Sequence, residues 1–280
     1  MEKIGKLFSA LVSAAFFIGM ASVNAWPEEE AESVRNLAKA AQNPIAHMIS
    51  LPFQSNFNFG VGPKEDLQYI MNIQPVIPLH LNNDWNLITR IITPIIHQPA
   101  LTPMGKDENG LGDINPSFFF SPANPEKLIW GIGPTMTFPT ATKKFLGYQK
   151  YSAGPTAVAL TMKGPWVYGA LINNQWSFAG NHKRKKVNAM LLQPFVNYNL
   201  PKGWYLTSSP IMTANWVANT DNTWTVPVGG GIGKILRIGK LPVNATISAY
   251  YNAVRPTHAA DWQLRFQIQL LFPEGKKKGA

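Results

Sequence analysis

The sequence predicts an all-β fold, a transmembrane up-and-down antiparallel β-barrel of about 12 strands with a short N-terminal helix. Three observations predict it. Apolar and polar residues alternate along most of the chain, short turns alternate with longer polar loops, and tryptophans cluster beside both kinds of connection. This combination is typical of a barrel whose outer face meets lipid and whose inner face meets water.

The alternation is clearest in the last segment before the C-terminal tail. One face would carry Trp262, Leu264, Phe266, Ile268, Leu270 and Phe272, and the other Asp261, Gln263, Arg265, Gln267 and Gln269. Successive side chains of a strand point to opposite faces, so this segment predicts a strand with one apolar and one polar side. No sustained helical period competes with this pattern after about residue 45.

The same analysis along the chain gives candidate strands that suit a tilted membrane crossing. They are 45–61, 67–79, 85–97, 111–122, 127–139, 152–162, 166–179, 188–200, 204–217, 223–238, 242–255 and 261–272. Short turns fall near 82–84, 124–126, 163–164, 201–203 and 239–241, and the connections between them are mostly longer and polar. Short turns on one side and longer loops on the other predict a barrel with both termini in the periplasm.

Eight of the nine tryptophans fall at two levels of such a barrel. Four follow short turns (Trp85, Trp130, Trp166 and Trp204), and four lie beside longer loops (Trp176, Trp216, Trp224 and Trp262). Indole favours the membrane–water interface, so these residues predict two aromatic girdles. In a soluble β-sandwich, tryptophans that fill the core would instead be scattered along the strands.

Prolines within the candidate strands are the least expected feature, because each removes a ladder hydrogen bond. Seven lie at a similar distance from the short turns, namely Pro75, Pro94, Pro116, Pro134, Pro155, Pro194 and Pro210. Their common depth predicts a belt of bulges or kinks, where lumen water or side chains satisfy the interrupted ladder. The alternative is that the strands are broken in two, and the barrel prediction then fails.

Composition and the chain ends agree with an exported membrane protein. Only 14% of the residues are charged, against about 25% in soluble domains, and 45% are hydrophobic. Residues 1–25 have the basic, apolar and small-residue regions of a signal peptide. Residues 26–43 predict an amphipathic helix that lies either in the barrel as a plug or in the periplasm, 44–272 the barrel, and 273–280 a basic tail.

No residue pattern predicts catalysis or a cofactor. The chain has no cysteine, and its five histidines match neither a nucleophile motif nor a metal-ligand spacing. Asp107 and Glu108 precede Asn109 and Gly110 without the spacing of a calcium loop. The sequence therefore predicts a protein that is not an enzyme and that has no metal site and no cofactor.

Positive charge concentrates in two longer loops on the same predicted side. The residues are Lys143, Lys144, Lys150, Lys183, Arg184, Lys185 and Lys186. A signal peptide argues against nucleic acid as the partner. Outside an outer membrane, these loops would face lipopolysaccharide phosphates or draw anionic solutes toward the mouth, and a merely solvated loop is an equal alternative.

Mid-strand polar residues predict the wall of the lumen. Arg90 and Arg265 would cost roughly 2–4 kcal/mol each if they faced lipid, so they are expected to face inward. The other polar candidates are Asn173, Gln193, Asn197, Gln263 and Gln267, and the aromatic ones are Phe119, Phe195, Tyr205 and Tyr250. Such a mixed lining favours small, partly apolar molecules over bulk ions.

Six short segments resemble bacterial outer-membrane barrels of the phenol-degradation meta-pathway family, a group of transporters sometimes misnamed neuromedin U. They are 49–53 (ISLPF), 72–78 (NIQPVIP), 110–114 (GLGDI), 131–134 (GIGP), 193–198 (QPFVNY) and 262–266 (WQLRF). The resemblance covers about 45–272 and implies an outer-membrane barrel that takes up small organic compounds. It carries over no catalytic residue. Barrels usually end on an aromatic residue, whereas Phe272 here is followed by a tail.

The sequence thus predicts a passive channel in the outer membrane of a Gram-negative bacterium, for small organic solutes that include hydrophobic or aromatic ones. Its expected partners are membrane lipid, lipopolysaccharide and the barrel-insertion machinery. A plugged structural or adhesion barrel is one alternative. An outer-membrane lipid hydrolase is another, although no Ser and Asn neighbourhood matches His97 or His182.

Overall fold

The computed structural model describes residues 28–239 and 241–273. It begins with helix α1 (Glu28–Ala41), and two 3-10 turns lie at Pro201–Gly203 and Thr220–Asn222. The predicted signal peptide and almost all of the basic tail lie outside the described residues. None of the helices in the part of the chain that is described is long and apolar enough to cross a membrane.

The rest of the chain is mostly antiparallel β-structure. Its strands are β1 (Ile49–Val61), β2 (Asp66–Ile73), β3 (Val76–His80), β4 (Trp85–Gln98), β5 (Glu108–Leu111), β6 (Asn115–Pro122), β7 (Leu128–Thr137), β8 (Lys150–Lys163), β9 (Trp166–Gly180), β10 (Asn188–Asn199), β11 (Trp204–Ser208), β12 (Met212–Asn215), β13 (Trp224–Ile238), β14 (Leu241–Val254) and β15 (Trp262–Phe272).

These strands close into a twelve-stranded barrel, as the sequence predicts. Three pairs of consecutive short strands, β2 with β3, β5 with β6 and β11 with β12, each form one interrupted strand of the wall. The last strand pairs with the first over its whole length, from Ile49 opposite Phe272 to Phe59 opposite Trp262. Closure leaves no sheet edge, so every strand has neighbours for its backbone groups, which lipid requires.

The proline belt interrupts the wall without opening it. Pro75 and Pro210 lie in two of the three interruptions, whereas Pro94, Pro134 and Pro155 lie within strands. The remaining backbone groups bridge the gaps, since the Ile91 amide donates to the Pro75 carbonyl at 3.1 Å. The sequence did not predict the third interruption, at 112–114, where the Gly112 amide donates to the Pro94 carbonyl at 2.9 Å.

The two faces of the wall differ in polarity. Along β1, Ser50, Gln54, Asn56 and Asn58 are buried on the inside, and the alternating apolar residues are more exposed on the outside. An apolar outer face on a closed barrel is the surface that a bilayer covers. The molecule is therefore an outer-membrane β-barrel of the kind found in Gram-negative bacteria.

Aromatic side chains band the outside near both ends. At the short-turn end, Trp85 and Trp130 form an edge-to-face pair with ring centroids 5.9 Å apart. At the loop end, the ring of Trp262 stacks on Phe59 at 4.0 Å. Of the other tryptophans of the two predicted girdles, Trp166 and Trp204 begin strands at the short turns and Trp224 begins a strand at the loops. Also at the loop end, Trp216 directly follows β12, and Trp176 lies near the end of β9.

The glycine run in β13 has a packing role that the sequence did not predict. Gly233 faces inward opposite Tyr205, and a Cβ at this position would collide with the Tyr205 ring. The phenol hydroxyl of Tyr205 then donates to the side-chain Oδ1 of Asn244 at 2.6 Å. A side chain at residue 233 would displace this ring from the wall.

We expect Gly233→Ala to lower the free energy of unfolding by about 1–3 kcal/mol, because it overpacks the Tyr205 ring. The measurement is urea unfolding in detergent micelles. In a Tyr205→Ala background, the effect of Gly233→Ala should nearly vanish, because the colliding ring is gone. An equal cost in both backgrounds would contradict the packing described.

Candidate solute site in the lumen

The lumen contains a cavity of about 170 Å³ that extends from mid-barrel to the short-turn end. Eight of the eleven residues predicted to face the lumen line it: Arg90, Gln193, Phe195, Asn197, Tyr205, Tyr250, Arg265 and Gln267. The other three face inward elsewhere. Phe119 packs in an apolar cluster, Asn173 lies on β9, and Gln263 bonds to Arg265.

Arg265 is fixed by the wall around it. Its side chain is only 8% exposed. Nε donates to Asn56 Oδ1 at 3.2 Å, Nη1 to the Ser209 carbonyl at 3.0 Å and Nη2 to Gln263 Oε1 at 2.8 Å. The guanidinium also lies 4.7 Å from the centre of the Tyr250 ring. These contacts hold a positive charge in one orientation at mid-depth.

The same residues satisfy the interrupted strand between β11 and β12. The Ser209 amide donates to Tyr250 Oη at 3.1 Å, and Gln193 Nε2 donates to Ser209 Oγ at 2.8 Å. With the bond from Arg265 to the carbonyl, the backbone N–H and C=O of Ser209 and its hydroxyl all have partners. Lumen side chains therefore replace the ladder next to Pro210, which is how an interrupted strand can persist inside a membrane.

Arg90 is less constrained than Arg265. Its Nη2 donates to Gln74 Oε1 at 2.6 Å. Gln74 is buried, and its own backbone amide donates to the Pro52 carbonyl at 2.9 Å. None of the residues that line the cavity is Asp or Glu. Two guanidinium groups thus share one cavity, and no carboxylate lines it in the part of the chain that the structure describes.

A track of amide side chains connects the outer end of the lumen to this cavity. Gln68 Nε2 donates to Gln98 Oε1 at 2.6 Å, and Asn58 Nδ2 donates to Gln68 Oε1 at 2.8 Å. Gln263 Nε2 then donates to Asn58 Oδ1 at 2.7 Å and accepts from Arg265. The amides therefore give one side of the lumen a continuous polar surface from the end of β4 to Arg265.

The opposite side of the lumen is apolar and filled. Ile45, in the segment between α1 and β1, is fully buried among residues of β3, β4, β6, β8, β9 and β10. They are Val76, Ile88, Phe119, Val158, Leu160, Val167, Leu171 and Phe195. These side chains fill this part of the lumen, and Val76 and Phe195 form the border between the apolar cluster and the polar cavity.

Helix α1 packs against inward-facing residues at the short-turn end of the barrel. Val34 and Ala38 are buried against the inward-facing Ile235 and Leu271. A Cβ on Gly203 would lie 2.8 Å from Val34 Cγ1, so the turn at Gly203 and the helix are in close contact. The sequence left a plug and a periplasmic helix as alternatives, and in the structure the buried face of α1 packs against residues of β13 and β15.

The last residue of the helix and the three residues after it form the floor of the cavity. Ala41, Gln42, Asn43 and Pro44 line it from below. The Gln42 and Asn199 side-chain amides form a reciprocal pair, with donor–acceptor distances of 2.9 and 3.1 Å. This amide pair ties the floor to the end of β10.

The seven basic residues predicted for the two loops differ in their surroundings. Lys143, Lys144, Lys183, Lys185 and Lys186 are exposed on the loops, as expected. Arg184 instead bridges the loops, because Nη2 donates to the Gly147 carbonyl at 2.9 Å. Lys150 is the first residue of β8 and only 8% exposed, so it belongs to the inner wall and not to the open loop.

The acidic loop residues have structural partners. Asp113 accepts hydrogen bonds from the Tyr148 amide at 2.7 Å and the Ala141 amide at 3.1 Å. Glu108 accepts one from the Phe145 amide at 3.2 Å. Within the described ranges, no cluster of three or more His, Cys, Asp or Glu is placed to hold a metal ion.

One His and Asn pair lies on the outer face near the loops. His97 Nδ1 and Asn109 Oδ1 are 2.8 Å apart, across the β4–β5 pairing. An outer-wall hydrolase needs a nucleophile beside such an imidazole. Ile95 is the neighbour on the same face of β4, and Tyr69 lies opposite His97 on β2, so neither position provides an aliphatic hydroxyl.

Sequence reasoning missed several residues of the site. Asn56 alternates along β1 with the outward-facing Phe57 and Phe59, so the two-residue period of the strand is sufficient to predict that its side chain faces the lumen. Ser209 and Gln74 lie beside the interruptions, where the alternation is lost, so no local pattern identifies them. The role of Ile45 depends on how the chain folds back into the lumen.

The fold is similar to that of solved outer-membrane channels. An outer-membrane channel from Pseudomonas putida F1 is 14% identical, with a TM-score of 0.62 over 82% of this chain and 97% of that channel. The NanC porin is 10% identical, with a TM-score of 0.51 over 80% of this chain and 100% of the porin. At such low identities the likeness establishes the fold alone. No family model and no curated protein matches the sequence.

Proposed function

We propose that this outer-membrane barrel is a passive channel for small organic solutes, and that helix α1 closes its periplasmic end. The observation that carries the proposal is the cavity in the polar half of the lumen, with its floor formed by the last residue of α1 and the residues that follow it. A barrel built only as a structural wall has no need of an unfilled, polar, aromatic-lined space at mid-depth.

Barrel size supports a channel. Eight strands enclose an interior that side chains just fill, and 16 or more leave an open aqueous pore. Twelve strands lie between these limits, and here the apolar cluster around Ile45 fills one side. The remaining space suits single small molecules that pass one at a time along the amide track.

Because α1 closes the periplasmic end of the lumen in this proposal, a solute can leave only when the helix moves. Among residues 32–41 of the helix, only Val34 and Ala38 are fully buried, and the Gln42–Asn199 pair is a neutral amide contact. Burial of one valine stabilises by about 1.5–3 kcal/mol, and each of the two hydrogen bonds of the pair by about 0.5–1.5 kcal/mol. Contacts of this size hold the helix in place but allow it to leave reversibly.

The test is solute entry into liposomes that contain the purified protein, together with conductance in planar bilayers. We expect uncharged aromatic alcohols and small organic acids to enter faster than into protein-free liposomes, without any energy source. A barrel lacking residues 28–43 should pass them faster still. An absence of flux and conductance in both proteins would refute the channel.

A structural or adhesion barrel is the second candidate, favoured by the plug and the filled apolar half. It predicts that the barrel stays closed when residues 28–43 are removed. A lipid hydrolase has less support, because neither Ile95 nor Tyr69, the described neighbours of His97 on the outer face, carries an aliphatic hydroxyl. Fatty-acid release from phospholipid vesicles by the purified protein would favour it over a channel.

We also propose, from the six segments that carry the resemblance, that the chain is a member of the phenol-degradation meta-pathway barrel family. The exposed lysines of the two basic loops then face lipopolysaccharide phosphates, and the barrel-insertion machinery assembles the wall. The lumen residues named from the sequence serve in this proposal as the surface that a solute contacts.

A further inference from the structure

We propose that the lumen cavity selects small organic carboxylates, with Arg90 and Arg265 as the groups that bind the anion. This inference rests on the proposed function and names its solute class. It depends on three features of the cavity: its uncompensated charge, the different constraints on the two arginines, and the apolar surface beside them.

The first feature is charge. Arginine stays protonated in proteins, so the cavity wall carries two positive charges. Among the described residues, no carboxylate lines the cavity to balance them. A charge removed from water is costly unless an opposite charge meets it, and besides the two arginines the described polar residues of the cavity wall supply neutral amides, hydroxyls and carbonyls. An anionic solute supplies the missing charge, whereas an organic cation would be repelled.

The second feature is the difference between the two side chains. Every guanidinium nitrogen of Arg265 donates to the wall, so this residue contributes a fixed positive field. Arg90 has one hydrogen bond, to Gln74, and its other donors have no acceptor among the described residues. Arg90 can therefore present a guanidinium edge to a carboxylate, a pairing that this planar group forms bidentately.

The third feature is the surface around the arginines. Phe195, Val76 and the Tyr250 ring line the same cavity and offer apolar contact to a hydrocarbon body. The volume of about 170 Å³ is below the roughly 300–1,000 Å³ of pockets for drug-sized ligands. The occupant is thus a compact molecule that has one anionic end and a short apolar or aromatic body.

The experiment uses benzoate as the probe and benzamide as its neutral isostere. Binding of each to the purified full chain in detergent micelles is measured by calorimetry, which requires no transport. We expect benzoate to bind more tightly than benzamide. Arg90→Gln should weaken benzoate binding by at least about tenfold, the cost of a lost charge-assisted hydrogen bond, and leave benzamide unchanged.

Two further variants separate the site from general charge and folding effects. Lys234→Gln removes one positive charge from the outer face, where Lys234 lies 4.6 Å from the Trp204 ring centre, and should leave benzoate affinity unchanged. Arg90→Lys should retain part of the affinity. Heat-modifiable migration of each variant in gels verifies that the barrel is folded.

Equal binding of benzoate and benzamide, or equal weakening by Arg90→Gln and Lys234→Gln, would overturn the inference. The channel and the carboxylate site can fail separately. Benzamide flux without selective benzoate binding refutes the site and leaves the channel intact. Selective benzoate binding without flux of any solute refutes the channel and leaves the site.

Discussion

Removal of residues 28–43 is expected to increase solute flux through the barrel by about tenfold to a hundredfold. The contacts of Val34 and the Gln42–Asn199 pair amount to roughly 3 kcal/mol, so about one molecule in a hundred has the helix displaced at any time. Without the helix, every barrel has an open exit. The measurement is the initial rate of solute entry into liposomes at equal protein density.

A milder variant distinguishes loss of the plug from damage to the barrel. Gln42→Ala breaks the amide pair but leaves Val34, Ala38 and the apolar cluster around Ile45 in place. It should increase flux less than the deletion does, because it removes the two neutral hydrogen bonds of the pair, about 0.5–1.5 kcal/mol each, and keeps the burial of Val34. Unchanged flux in the deletion variant would show that α1 does not close the channel.

Substitution of Ile172 by arginine is expected to destabilise the folded barrel by about 2–4 kcal/mol in lipid, because this side chain faces outward near the middle of β9. Ile172 is 44% exposed, so it contributes little packing within the protein. The cost therefore comes from placing a guanidinium in hydrocarbon. Urea unfolding in phospholipid liposomes measures it.

The matched control is Asn173→Arg, one residue along the same strand on the lumen face. There the guanidinium meets the interior of the barrel and lumen water, and the change in unfolding free energy should stay within about 1 kcal/mol. The two variants have the same added charge, the same strand and nearly the same depth. Equal costs at both positions would contradict the assignment of the apolar face to lipid.

The alternation of residues predicted the wall because a strand has only two faces. In β15, every second residue from Trp262 to Phe272 is apolar, and the structure places that set outside and Arg265 inside. A charged side chain placed in lipid costs about 2–4 kcal/mol, so charged residues are absent from the outer face of β15 and the alternation is easy to recognise in its sequence. The number of strands follows from the same period together with the turns.

The interior could not be predicted in this way, because its contacts join residues distant in sequence. Arg265 reaches Ser209, and Gln42 reaches Asn199. Ile45 fills the lumen only because the chain returns into the barrel before β1. Side-chain period determines which residues point inward, but the position of the plug and the location of the cavity depend on packing across the barrel.

The most direct test of the proposed channel is a reversible lock on helix α1. The chain has no cysteine. A Cβ at residue 203 would lie 2.8 Å from Val34 Cγ1, about where the sulfur of a cysteine at 34 would lie, so Val34→Cys combined with Gly203→Cys is placed to form a disulfide. A non-glycine residue at the φ of 76° of Gly203 costs about 1–2 kcal/mol, which a folded barrel tolerates.

The measurement is solute entry into liposomes containing this double variant, before and after reduction. The channel proposed here predicts that the oxidised protein passes solute at the background rate of protein-free liposomes, and that a reducing agent restores at least the flux of the unmodified chain. Equal flux in the oxidised and reduced forms, with the disulfide verified by mass, would contradict a channel that opens by movement of α1.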